Sequence, residues 1–83
     1  MIEAPTYFEY VDPVRHTRSQ WIVERNDPYG RWSVRYAAEN IHGYWTHFPS
    51  VPFDSKEHAV AYVHRMIGFH EENARMRTSW RAS

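Results

Sequence analysis

The chain has 83 residues, ten basic against ten acidic side chains, and no cysteine. A chain this short buries only about 60–65% of its unfolded surface, so one domain with one modest core is all it supports. The lack of cysteine excludes disulfides and thiolate metal sites, and zero net charge weighs against a dedicated nucleic-acid binder, which usually carries a basic surplus.

Four Trp, six Tyr and four Phe give an aromatic fraction of 17%. Each buried ring removes roughly 150–250 Å² from water, so a few suffice for a small core and others stay partly exposed. Nine of the ten basic residues are arginine, the residue suited to bidentate and stacked contacts. "MIEAPTYFEY" has neither the basic nor the apolar region of a signal peptide. No apolar run approaches the roughly 20 residues of a membrane span. The expectation is a cytoplasmic protein with no membrane partner, or one in the host cytoplasm if it is phage-encoded.

In chain order, "TYFEYVD" (Thr6–Asp12) alternates and is rich in strand formers, and Asp12-Pro13 is a turn signal. "PVRHTRSQ" reads as a polar loop. "QWIVERN" (Gln20–Asn26) is a strand, and "NDPYG" supplies turn residues. "RWSVRYAAE" (Arg31–Glu39) alternates, so Trp32, Val34 and Tyr36 point one way and Arg31, Ser33 and Arg35 the other. After the turn "NIHG" comes "YWTHF" (Tyr44–Phe48), the next strand of the meander. Pro49 and Pro52 keep "FPSVPF" extended and out of a helix.

The helix signal begins at "FDSKEHA". Asp54 or Ser55 serves as N-cap, and Glu57 favours the positive end of the dipole. Ala59, Tyr62, Val63, Met66, Ile67 and His70 recur at helical spacing and form one face. Gly68 costs about 1 kcal/mol inside a helix and marks a candidate break. The predicted architecture is α+β: an antiparallel sheet of three to four strands over about 6–48, one long helix over about 55–76, and a basic tail at 77–83. The predicted core joins Trp32, Val34 and Tyr36 to the helical face.

Six histidines invite a metal site, but the spacing does not gather them. His58, His64 and His70 are each rotated by about 240° around a helix and lie on three sides. His42 and His47 fall on opposite faces of a strand. A metal needs converging ligands, so neither metal nor cofactor is expected. No Gly-x-Ser-x-Gly motif and no glycine-rich phosphate loop is present among three glycines. The reading is therefore a non-enzymatic protein.

Two surfaces stand out as binding candidates. One is the polar sheet face with Arg31, Ser33 and Arg35, whose plain reading is a solvated face with cross-strand ion pairs. The other is the C-terminal segment from Asn73, where Arg75, Arg77 and Arg81 stand without any acid, giving +3 against −3 for the remainder of the chain. A helix ending near Met76 outruns a strand of about 17–20 Å and overhangs the sheet. Met76 and Trp80 share its face there, and tryptophan beside arginine is the composition of an interface hot spot.

The order "GRWSVRY" followed by "GYWTHFPSVPFDSKEHAVAYV" resembles the arm-type DNA-binding domain of tyrosine integrases over Gly30 to Val63. In that family a three-stranded sheet enters the major groove. The resemblance implies groove-facing roles for Arg31, Ser33 and Arg35. By type, a tiny, cysteine-free, aromatic-rich chain is also similar to the small inhibitors encoded by phages and mobile elements, including anti-CRISPR proteins. The function expected is a binding protein that occupies a surface of a larger protein or nucleoprotein complex. An arm-type DNA-binding module and a homodimeric accessory protein are the alternatives.

Overall fold

The computed structural model describes residues 4–26 and 30–82, and of residue 26 and residues 78–82 it describes the backbone alone. Five strands precede one helix: β1 (Thr6–Val11), β2 (Arg18–Asn26), β3 (Arg31–Glu39), β4 (Trp45–His47), β5 (Val51–Phe53) and α1 (Lys56–Ala82). All neighbouring strands pair antiparallel, in the order β1-β2-β3, with both β4 and β5 on the far edge of β3.

The predicted α+β architecture is present, with one addition. The Pro49–Pro52 segment is extended, as expected, but it also pairs with β3. Between Ala37 and Val34 the β3 register moves three residues, while the edge moves four, from His47 to Val51. The extra residue is a β-bulge. It falls at Phe48-Pro49-Ser50, where proline removes a donor from the ladder. Phe48 N–H still donates to the Tyr36 carbonyl at 3.0 Å. A proline-broken edge is also a poor template for unwanted strand addition.

Two hairpins owe their geometry to one side chain each. At β1–β2, the Asp12 carboxylate accepts from the Val14 and Arg15 N–H groups at 2.8 and 3.0 Å. The loop then closes through His16, whose φ of 61° lies in the left-handed region. At β3–β4, the Asn40 side-chain oxygen accepts from His42 and Tyr44 N–H, and Gly43 takes φ 85°. That conformation suits glycine, which has no Cβ to clash.

Register fixes which residues meet the helix. Phe8, Trp21 and Tyr36 form one cross-strand row, and Val23 with Val34 forms the next. Against these α1 lays Ala59 and Val63, which are fully buried, with Tyr62, Met66 and Ile67 packed at the margin. Trp21 is 1% exposed and is the largest fully buried side chain. It stacks on Tyr36, which stacks on Phe48, both at centroid distances of 5.1 Å. A buried tryptophan that packs on a second ring contributes beyond its area by about 0.5–1.5 kcal/mol.

The helix itself differs from the sequence expectation. Ser55 is the cap: its hydroxyl accepts from His58 N–H at 3.2 Å. The helix neither breaks at Gly68 nor ends near Met76, and the segment read as a tail is helical to Ala82. The reason is packing. Beyond Gly68 the inward stripe continues through His70, Ala74 and Arg77, at spacings of four and three. Ala74 is 2% exposed, and Arg77 pairs with Asp12 at the end of β1. The helix therefore stays on the body as far as Arg77, and the overhang expected before that point is absent.

Candidate functional site: the open sheet face

The helix packs on one face of the sheet, and among the described residues nothing layers on the other. Strand register assigns its rows. Tyr7, Ile22 and Arg35 stand side by side across β1, β2 and β3. Glu9, Gln20, Ala37 and His47 form the next row, and Val11 and Arg18 continue toward Glu39 and Trp45. Gln20, Ile22, Arg35, Ala37 and His47 line a shallow groove of about 390 Å³.

The charges on this face are interleaved. Arg18 reaches Glu39 at 3.2 Å and lies over the Trp45 ring, 5.2 Å from its centroid. That hydrogen bond holds the Glu39 carboxyl below its usual range. Arg35 pairs with Glu24 at 2.8 Å, and Gln20 donates to Glu9 at 3.3 Å. Register thus puts Arg18, Arg31 and Arg35 on the same face as Glu9, Glu24 and Glu39. Each exposed pair adds little stability, with a median of about 0–1 kcal/mol. Together they make a patterned, neutral surface.

The residues singled out in the sequence are divided by the structure. Arg35 and Arg31 are exposed, as a groove-facing role would need. Ser33 lies on the expected face but is 2% exposed, and its hydroxyl has no hydrogen-bond partner. It sits mid-sheet between Glu24 of β2 and Pro52 of β5. The cross-strand neighbour on β5 was not legible, so the burial was missed. At the helix end, Arg75 and Met76 are exposed. Arg77 is held by Asp12. The side chains of Trp80 and Arg81 lie outside the described residues.

Two of the helix histidines pack on sheet rings. His64 packs edge-on against Phe8, and His70 stands among Tyr10, Trp21 and Tyr36. Among the described residues no three His, Asp or Glu side chains gather as a metal site would need. No helix among them is long and apolar enough to cross a membrane.

Sequence reasoning left open whether Gln20, Ile22 and Glu24 or Trp21, Val23 and Arg25 lie beside Arg31, Ser33 and Arg35. The register selects the first set, and Tyr7, Trp45 and His47 were missed as part of the shared surface. Period-2 alternation in β1 and β2 carried the signal, but without the register the rows cannot be aligned. No family model, curated protein or solved structure matches the chain.

Proposed function

We propose that this chain is a non-enzymatic binding protein that occupies a protein surface of a larger complex through its open sheet face. An inhibitor of the kind encoded by phages and mobile elements, with an anti-CRISPR protein as one example, is the most concrete version of this reading. One observation carries it: three arginines and three glutamates alternate on that face with Tyr7, Ile22 and Trp45 between them. Tyr7 is 70% exposed. Aromatic residues and arginine are enriched at protein interfaces. Mixed charge sets register and partner choice by complementarity.

The same face supports the arm-type DNA reading less well. A duplex presents one charge per about 1.7 Å of axis, and Glu9, Glu24 and Glu39 would oppose it. The test combines affinity capture from the source cell or its host with a duplex titration across salt. Capture should be lost in Tyr7→Ala/Arg35→Ala and kept in Arg75→Ala/Met76→Ala. The reverse result moves the interface to the helix end. Micromolar duplex binding with a steep salt slope replaces the proposal with the DNA-binding module, and a concentration-dependent mass in sedimentation equilibrium points to the homodimer.

A further inference from the structure

We infer that the cleft between the end of β5 and the first turns of α1 binds a phosphomonoester carried on a planar ring. This site lies at the β5 end of the molecule and shares only Arg31 with the open sheet face. The cleft has a volume of about 490 Å³, within the range of about 300–1,000 Å³ for small-molecule pockets. Its helical wall follows from spacing. His58, Tyr62 and Arg65 lie four and three residues apart and so share one stripe. Ala61, inside the same stripe, has no side chain beyond Cβ and leaves the space open. Arg31, at the first position of β3, lines the cleft together with His58 and Arg65.

Among the described residues both guanidinium groups are uncommitted. Arg31 and Arg65 are exposed and form no ion pair or hydrogen bond with any described residue. This separates them from Arg18, Arg35 and Arg77, each of which holds a carboxylate. Among the described residues Asp54 is the one acid lining the cleft, against the two fixed positive charges of Arg31 and Arg65. Guanidinium forks match phosphate oxygens in bidentate geometry. Imidazole adds a third donor beside them.

The remainder of the cleft is apolar and aromatic. Phe53 and Tyr62 also line it, with their rings 5.1 Å apart and tilted by 44°. An inorganic ion leaves these rings wet. A planar group attached to the phosphate covers them, and offset or tilted ring contacts add roughly 0.5–1.5 kcal/mol. The ligand class follows: an anionic phosphate held between the arginines and a ring laid on Phe53 and Tyr62. A nucleoside monophosphate and an aryl phosphate share this chemistry.

The test is an amide-resolved NMR titration of the full chain with AMP, phenyl phosphate and inorganic phosphate. At least one ring-bearing ester should saturate and bind tenfold or more tightly than inorganic phosphate, moving the amides of Arg31, His58, Tyr62 and Arg65. A preference for AMP assigns a nucleotide, and a preference for phenyl phosphate assigns an aryl ester. Arg31→Ala and Arg65→Ala should each weaken binding about tenfold, or about 1.4 kcal/mol. Ala61→Trp should fill the cleft and abolish binding with no change in charge. The inference is overturned by any of three results: no saturation, equal binding of inorganic phosphate, or shifts confined to other surfaces. Variants that melt as wild type and bind as wild type overturn it too. Where a variant does not fold, the wild-type shift map decides alone.

Discussion

Arg77 on the helix donates to the carboxylate of Asp12, the residue that follows β1 and shapes the first hairpin. One aspartate thus holds both a turn and the far end of α1. Its side chain is 14% exposed against 35% for Arg77. Burial raises the Asp12 carboxyl, but the Arg15 and Val14 N–H groups and the Arg77 charge outweigh it and hold the group below its ordinary value. Asp12→Ala should therefore cost more than Arg77→Ala, because it strips the turn as well as the pair. Hydrogen bonds to charged groups contribute roughly 1.5–3 kcal/mol, and solvent at Arg77 trims the pair toward about 1 kcal/mol. Thermal melts should show Asp12→Ala lower by at least twice the drop for Arg77→Ala. Equal drops would mean that the turn does not need the carboxylate.

His70 gives the fold an acid-sensitive element. Burial is the main cause that lowers its pKa. Arg77 pushes the same way, and Asp12 opposes. The groups around it are Tyr10 from β1, Trp21 from β2 and Tyr36 from β3, with Asp12 and Arg77 as the charges. A histidine whose folded pKa is depressed binds its proton more readily in the unfolded chain. Its contribution is complete above the unfolded value of about 6.5 and is lost as pH falls toward the folded value. Denaturant midpoints should therefore fall between about pH 7.5 and 5.5, and His70→Phe should flatten that slope. An unchanged slope in the variant places the acid sensitivity elsewhere.

Trp21 anchors the core from the middle of the sheet, where Tyr36 stacks on it and His70 meets it edge-on at 5.5 Å. Trp21→Ala should cost about 3–5 kcal/mol through lost burial and the cavity left behind. That is a large part of the roughly 5–15 kcal/mol that holds small domains. Trp45, on the open face, should tolerate alanine at under about 1 kcal/mol, since it is only half-buried. Circular dichroism melts of the two variants separate these roles. Similar losses would show that the open face carries packing that the register does not reveal.

The contrast between these tryptophans shows where the sequence is legible. Alternation in β3 placed Trp32, Val34 and Tyr36 on the helix side, and helical spacing placed Ala59 and Val63 against them. Those periods are local. Trp21, Ile22 and Val23 are three apolar residues in a row, so local pattern leaves their phase open. Pairing with Tyr36, Arg35 and Val34 resolves it. The burial of Ser33 and the strand at Val51–Phe53 likewise depend on a partner across the sheet. The Asp12–Arg77 pair joins residues 65 positions apart, and no local pattern reports a contact of that span. The cleft at Arg31 and Arg65 was hidden for the same reason.

Gly68 lies within the continuous helix, and a Cβ built there meets nothing within 4 Å. The usual reasons for a glycine, a left-handed backbone or a close neighbour, do not apply. Gly68→Ala should therefore stabilise the chain by about 1 kcal/mol. For a domain of this size that is a rise of about 4–8 °C in Tm. A drop in Tm would show that the helix bends at this position in solution.

The helix end can be divided by where its contacts stop. Ala74 is buried, and Arg77 holds Asp12. A chain stopped after Asn73 loses both and should melt lower by several degrees, with β1 and its hairpin the first to exchange their amides. A chain stopped after Thr78 keeps both. Its helix is shorter by one turn, and the described tertiary contacts remain. It should melt within about 0.5 kcal/mol of wild type, the usual bound for changes away from packed features. Hydrogen exchange on the two truncations then separates anchoring from binding. If the Thr78 stop keeps its stability but loses a partner that the full chain captures, the residues after Thr78 belong to the interface. If the Asn73 stop is as stable as wild type, the Asp12–Arg77 contact does not hold the helix to the sheet.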